Sequence, residues 1–268
     1  MKTLKNVILD IVVYKNKNMK IKISQSMLRD FYNPSYCKIK WEETYLNGFR
    51  TKPTASMLDG LVFEQNVIGM SRGGEYYEIP KGKTGKPLKR ETDLLELAEK
   101  SKVMMNDLEI ELVDVQPEWE TDELIGHPDA LIKYKGELAI MDLKYTAMKE
   151  DENCKWNPYG WGNIVDENTG EIYKDFTQAI HYIEMYFQEH GVYLPFFYLI
   201  FGKSGWTKFI MIEPTLERLE EYRYKLKKFR KDLKDFKPKS IDNYSICRKC
   251  SVMCNKRVLK PNIQQILY

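Results

Sequence analysis

Two aspartates and a lysine within residues 125–146 (IGHPDALIKYKGELAIMDLKYT) are the side chains best suited to chemistry. Asp129 falls on the first strand of an expected hairpin, and Asp142 and Lys144 fall on the second, with Lys135-Gly136 as the tight turn between them. A strand alternates faces with period two, so Asp142 and Lys144 point one way and Leu143 the other. Two carboxylates and an ammonium on neighbouring strands are costly to bury as ordinary core. Around a hard divalent cation, which prefers oxygen ligands, they have a purpose, and the Leu143 carbonyl offers one more oxygen. Lys144 would then stabilise charge building on a phosphate or orient an attacking water. An Asp-x-Lys pair on an exposed strand is commonly just solvated, but Ile140 and Leu143 argue that this strand is buried.

Other residues point to the same place. Gln178 and Tyr182 are four apart in an expected helix and stack on one of its faces. Glu64 interrupts an otherwise apolar helical stretch (LDGLVFEQNVIG), so it lies on the polar face or is aimed at a cation. His127 shares a strand face with Asp129 on simple alternation, which Pro128 can disturb; it lines the site or is an ordinary polar histidine. His181 falls off the Gln178/Tyr182 face and reads as structural.

The elements that must hold these residues follow from periodicity. Ser24 or Ser26 caps a short helix through Met27, Leu28, Phe31 and Tyr32, ended near Asn33-Pro34. Helical spacing recurs over 55–70 and 92–106, with a Gly- and Lys-rich loop over 71–91. Period-two patterning then predicts strands at 109–118, 124–134 and 137–146. A Gly/Asn/Trp-rich loop (152–170) leads to a helix at 174–190, strands at 193–202 and 206–213, and a charged helix from Pro214 to about Phe236. This order describes an α/β or α+β domain with a mixed central sheet flanked by helices.

The chain of 268 residues suffices for one large domain or two small ones. An apolar content of 43% and an aromatic content of 13% support a packed core rather than bulk disorder. The net charge of +3 neither requires nor excludes nucleic acid, since local clustering of Lys and Arg decides phosphate binding. No apolar run is long enough to span a membrane. Asp10 interrupts the apolar stretch Asn6–Tyr14 and no small-residue cleavage site follows, so a signal peptide is not expected. These features predict a cytoplasmic protein (host cytoplasm, if phage-encoded) with reduced thiols. The expected organisation is an N-terminal segment of uncertain placement (1–20) and a single domain over 21–268.

Taken in order, Glu64, Gly126-His-Pro-Asp129, Asp142-Leu-Lys144 and Gln178/Tyr182 resemble the RecB-like branch of the PD-(D/E)XK nuclease superfamily. That pattern places an acidic residue on an early helix, then a G-x-x-D strand, a (D/E)-x-K strand and a Q-x-x-x-Y helix. The resemblance covers roughly residues 20–255. It implies a restriction-endonuclease-like core and a Mg²⁺- or Mn²⁺-dependent DNA nuclease, acting as an exonuclease or in DNA-end processing. It assigns Asp129, Asp142 and the Leu143 carbonyl to the metal, and Glu64 to the metal directly or through water. Lys144 is then the catalytic lysine, while Gln178 and Tyr182 contact the DNA backbone or support the site. Implied partners are single-stranded DNA or duplex ends and a helicase, recombinase or other replication and repair subunit. The alternative is a non-catalytic DNA-binding or scaffold subunit that keeps the fold.

Five cysteines remain. Cys247, Cys250 and Cys254 form a C-x2-C-x3-C cluster (CRKCSVMC), and Cys37 lies near the other end of the chain. Closely spaced thiols in a reducing compartment point to metal or cluster ligation. AddB-type and CRISPR-associated exonucleases, which this ordering resembles, hold a [4Fe-4S] cluster with one early and three late cysteines. Here the late spacing is tighter than usual, and zinc on the same four thiolates is the alternative. Cys154 stands apart in a polar loop and reads as a free thiol.

Three further segments carry charge or aromatic rings. Residues 220–239 (EEYRYKLKKFRKDLKDFKPK) read as a surface helix with an aromatic stripe on the core, or as a face that binds phosphate. Residues 81–90 (KGKTGKPLKR) form a basic loop without the spacing of a nucleotide-binding loop. The WNPYGW segment (156–161) either stacks on unpaired bases or packs as a rigid loop.

Overall fold

The structure is a computed structural model that describes residues 21–34, 36–70, 72–147, 163–165, 172–240, 247–248 and 250–252. Residues 1–20, Cys154, the WNPYGW segment and Cys254 lie outside the described residues.

Helix α1 (Gln25–Tyr32) starts where expected: the Ser24 side chain caps it by accepting from the Met27 amide at 3.2 Å. Helix α2 (Lys38–Tyr45) was not expected. Its sequence, KIKWEETY, carries no apolar stripe, and Trp41 is its one buried residue. The Trp41 indole donates to the Met27 carbonyl at 2.8 Å, so a tertiary contact rather than periodicity holds α2 against α1. Helix α3 (Ala55–Ile68) is capped by Thr54 and ends at Gly69, which takes the left-handed φ of 83° that stops a helix. Helix α4 (Lys89–Asp107) begins three residues before the expected start.

Six strands follow: β1 (Ile110–Val115), β2 (Trp119–Glu120), β3 (Ile125–Gly126), β4 (Ala130–Tyr134), β5 (Glu137–Thr146) and β6 (Asn163–Val165). After them come β7 (Ile172–Lys174), α5 (Thr177–His190), β8 (Phe196–Gly202), β9 (Thr207–Ile212) and α6 (Leu216–Lys234). Two expected strands are interrupted. Gln116 adopts φ 53° just before Pro117 and ends β1 early. Pro128, which has no amide hydrogen to give a ladder, separates β3 from β4. The short strands β2 and β3 pair with each other, and β6, inside the expected loop, pairs with β7 just after it as a second small ribbon.

The main sheet has the order β1-β4-β5-β8-β9. Only the β5–β8 pair within it is parallel, with Asp142 beside Tyr198 and Lys144 beside Ile200. The expected mixed sheet flanked by helices is therefore present. Lys135 and Gly136 turn β4 into β5 with φ of 52° and 87°.

Alternation along β5 and β8 divides the core. Ile140, Phe196, Tyr198 and Ile200 pack with α1, α2, α5 and α6 on one face. Met141, Leu143, Phe197 and Leu199 pack with α3 and α4 on the other. Asp142 and Lys144 share the register of Ile140, so they belong to the α5 face, and Leu143 anchors them from behind. Helix α6 puts Leu219, Tyr222, Leu226 and Phe229 into the core. Three of its basic residues form ion pairs: Arg223 meets Glu184, Lys228 meets Asp232 and Arg230 meets Glu123. Among the described residues, no helix is long and apolar enough to cross a membrane.

Candidate active site

Strand β4 begins at Ala130, just after Asp129, and β5 runs on past that point. Met141 is the last β5 residue with a β4 partner, Ala130. The next residue facing that edge is Leu143, whose amide would otherwise lack a ladder partner. Asp129 supplies it: its Oδ2 accepts from the Leu143 amide at 2.7 Å. The Asp129 carboxylate thus lies against the peptide linking Asp142 to Leu143. The amide and carbonyl of one strand residue face the same edge, so the Leu143 carbonyl also faces the Asp129 side.

Asp142 is fully buried. Its Oδ1 meets the Lys144 ammonium, and its Oδ2 accepts from the Gln178 amide nitrogen at 2.5 Å. Burial opposes the charge on Lys144, but Asp142 and Asp129 outweigh it and hold the ammonium above the ordinary lysine range. The Lys144 side chain as a whole is 25% exposed. Helix α5, which crosses this face, carries Gln178 on its first turn and Tyr182 one turn on.

Tyr182 braces the other end of the site. Its hydroxyl donates to the His127 carbonyl at 3.1 Å, and its ring stacks on Phe196 at 6.0 Å between centroids. The same ring explains Gly126. A Cβ there would stand 2.6 Å from Tyr182 Cε1 and 2.9 Å from Met185 Sδ, closer than real contacts allow. Glycine lets β3 lie directly on α5, and Asp129 follows three residues later.

His181 is buried and bridges three elements. Its Nε2 lies 3.0 Å from the Ile125 carbonyl, which can only accept, so Nε2 carries the proton. Its Nδ1 then accepts from the Tyr222 hydroxyl at 2.5 Å. Burial pushes its pKa down to about 4, only partly offset by the bond to Ile125, so the ring is neutral. The structural role expected for His181 is what the geometry gives it.

Helix α3 packs on the opposite face of the sheet, and the Glu64 carboxylate accepts from the Gln116 side chain. Gln116 in turn donates its backbone amide to the Asp129 carbonyl at 2.8 Å. Glu64 therefore stands one residue removed from Asp129. Among the described residues, no three His, Cys, Asp or Glu side chains gather at metal-binding distance. Gln116 is the supporting residue that sequence reasoning missed. Its signal, a polar residue before Pro117 in left-handed backbone, has meaning only once β1 lies beside β4.

A cavity of about 780 Å³ opens on this face, with Lys144, Gln178, Tyr182 and His127 in its wall. Cys37 and Cys247 are buried, and the Cys250 amide donates to the Cys247 carbonyl at 3.1 Å. Burial pushes the Tyr36 phenol up, and Asp30 and Cys250 are close enough to add to the effect. Cys250 therefore lies near Tyr36, the neighbour of Cys37 in sequence.

No protein-family model and no curated protein matches the chain. A solved structure does: a protein of Eubacterium rectale provisionally designated an exonuclease, 17% identical, with a TM-score of 0.59 over 91% of each chain. A second solved structure is 13% identical over 95% of this chain and 97% of its own, but its TM-score of 0.35 is too low to speak to the fold. At these identities the likeness concerns architecture alone: the chain has the fold of the Eubacterium rectale protein.

Proposed function

We propose that this protein is a metal-dependent DNA nuclease of the PD-(D/E)XK superfamily, in its RecB-like branch. The reading that fits best is an exonuclease or DNA-end-processing enzyme. The observation that carries it is the convergence of Asp129, Asp142, Lys144 and Gln178 at one point on β5. The exonuclease designation of the Eubacterium rectale protein with the same fold points the same way.

The residues present suit Mg²⁺ or Mn²⁺. Two carboxylates and a backbone carbonyl form an all-oxygen donor set, and Asp142 Oδ1 is buried with only the Lys144 ammonium against it among the described residues. Asp129, Asp142 and the Leu143 carbonyl would hold the ion, with Glu64 reaching it through water. Such an ion, when bound, supplies a Lewis acid for the phosphoryl oxygen and lowers the pKa of water. The protein's own groups do the positioning. The Leu143 amide fixes Asp129, Gln178 orients Asp142, and Tyr182 holds the segment between Gly126 and Asp129. Lys144 presents a permanent positive charge to a phosphate entering the cavity, where negative charge grows as the bond breaks.

A [4Fe-4S] cluster on Cys37, Cys247, Cys250 and Cys254 would tie the chain ends together. Its support is the burial of Cys37 and Cys247 and the return of Cys250 to that region. Zinc on the same thiolates is the alternative, and metal analysis after anaerobic purification separates them. A helicase or recombinase partner would deliver DNA ends.

The test is cleavage of end-labelled single- and double-stranded DNA with Mg²⁺ or Mn²⁺. Wild type should cut and Asp142→Ala and Lys144→Ala should not. Absence of cleavage on every substrate, or equal cleavage by the variants, refutes the proposal.

A further inference from the structure

Helix α5 carries two neighbouring stripes of side chains that serve different ends. Gln178, Tyr182 and Met185 follow the i, i+4, i+7 spacing of one helical face. Gln178 donates to Asp142, Tyr182 donates to the His127 carbonyl, and Met185 lies against Gly126. This stripe faces the site and the segment that leads to Asp129. Thr177, His181 and Glu184 repeat the spacing one residue earlier, about 100° around the helix. All three are bonded to α6. Lys225 Nζ donates to Thr177 Oγ1 at 3.2 Å, the Tyr222 hydroxyl donates to His181 Nδ1 at 2.5 Å, and Arg223 donates to the Glu184 carboxylate at 3.1 and 2.9 Å.

Of these three contacts, the one at Thr177 is nearest to Asp142 and has the least support from α5 itself. Phe176 occupies the cap position and has no side-chain acceptor for the first-turn amides. Asp175 Oδ1 accepts from the Thr177 amide at 2.9 Å, and the Thr177 hydroxyl accepts from Lys225, so Thr177 is tied both to the chain before it and to α6. Gln178 follows directly. An ammonium at the positive end of a helix is electrostatically unfavourable, so the stability of α5 as a helix does not account for Lys225. The rotation of α5 does. A bond from α6 to residue 177 sets the direction in which residue 178 leaves the helix, and the 2.5 Å contact between Gln178 and Asp142 leaves little freedom in that direction.

We infer that Lys225 is a positioning residue: through Thr177 it fixes the rotation of the first turn of α5 and so aims Gln178 at Asp142. This role rests on the nuclease reading for its purpose, and it goes beyond that reading by giving a residue of α6, outside every motif of the site, a part in holding a proposed metal ligand.

The experiment follows the Gln178 side-chain amide in nitrogen–proton correlation spectra of the isotope-labelled, metal-free full chain, with the signal assigned by its loss in Gln178→Ala. Thr177→Val removes the hydroxyl, Lys225→Met removes the ammonium, Thr177→Ser keeps the hydroxyl, and Lys227→Met removes an exposed cation elsewhere on α6. Thr177→Val and Lys225→Met should each move the Gln178 signal toward that of a free glutamine amide. Thr177→Ser and Lys227→Met should leave it in place. In Mn²⁺ titrations the first two variants should weaken uptake by roughly three- to tenfold, the worth of one hydrogen bond, and should weaken it no further in a Gln178→Ala background. A Gln178 signal that stays in place in either Thr177→Val or Lys225→Met, or that moves as far in Thr177→Ser or Lys227→Met, overturns the inference. A loss of Mn²⁺ uptake that persists in the Gln178→Ala background overturns it as well, since α6 would then act on the fold at large. The two proposals fail separately. A Gln178 signal that moves as expected in a protein that takes up no Mn²⁺ sinks the nuclease reading alone, whereas Mn²⁺ uptake and cleavage with an unmoved Gln178 signal sink this role of Lys225 alone.

Discussion

Lowering the pH should weaken the fold through His181, and the size of the effect follows from its surroundings. Buried between the Ile125 carbonyl and the Tyr222 hydroxyl, the ring has a pKa of about 4, against 6.5 when free. Between those values the unfolded chain takes up a proton that the folded chain refuses, so stability is complete above pH 6.5 and falls as pH drops toward 4. The full difference corresponds to roughly 3 kcal/mol, of which about 2 kcal/mol is lost between pH 7.5 and pH 5. Other groups also titrate in this range, so the His181 share must be isolated. Urea unfolding at pH 7.5 and pH 5 should therefore be run on wild type and on His181→Gln. The glutamine amide keeps a donor toward Ile125 but does not titrate. Wild type should lose about 2 kcal/mol more than the variant over that interval, whatever the variant's absolute stability. Equal losses in the two proteins would mean that His181 is charged or solvated in the folded state, and the assignment of its tautomer would be wrong.

Four further outcomes follow from the geometry. Gly126→Ala forces a methyl against the Tyr182 ring and should cost about 1–3 kcal/mol in urea unfolding, with a loss of cleavage, because β3 must lift from α5. Tyr182→Phe keeps the ring and removes one hydrogen bond to His127, so it should cost only about 1 kcal/mol. Gln178→Ala releases Asp142 without removing a proposed ligand and should weaken Mn²⁺ binding by about 10–100-fold in a calorimetric titration. Lys144→Gln should lower kcat for DNA cleavage by about 10²–10³ in steady-state assays while the circular dichroism spectrum stays native.

How far the site could be read in advance depended on the range of the contact. Asp142 and Lys144 sit two apart on a strand, so their shared face is local geometry, and β5 shows it with Leu143 on the opposite side. Gln178 and Tyr182 sit four apart on a helix, and from α5 one reaches Asp142 on β5 and the other the His127 carbonyl between β3 and β4. The strand order follows from the same patterning, since β4 and β5 form a hairpin and α5 supplies the crossover that parallel pairing with β8 requires. What escaped depended on distant partners. Helix α2 exists because Trp41 finds the Met27 carbonyl, not because its own residues alternate. The sheet face on which α3 packs decides from which side Glu64 approaches the aspartates, and a single sequence carries no sign of that choice. Gln116 shows the same limit, since it is placed by the Asp129 carbonyl just before β4.

The account depends on the carboxylates of Asp129 and Asp142 gripping a divalent ion beside Lys144. Electron paramagnetic resonance of free Mn²⁺ titrated with the protein measures this directly. Wild type should remove the free-ion signal saturably, and Asp129→Asn and Asp142→Asn should each weaken that uptake by more than about 100-fold, beyond the effect of losing a supporting residue. If wild type leaves the signal untouched, or if both variants take up Mn²⁺ as well as wild type, the two aspartates are not a metal site.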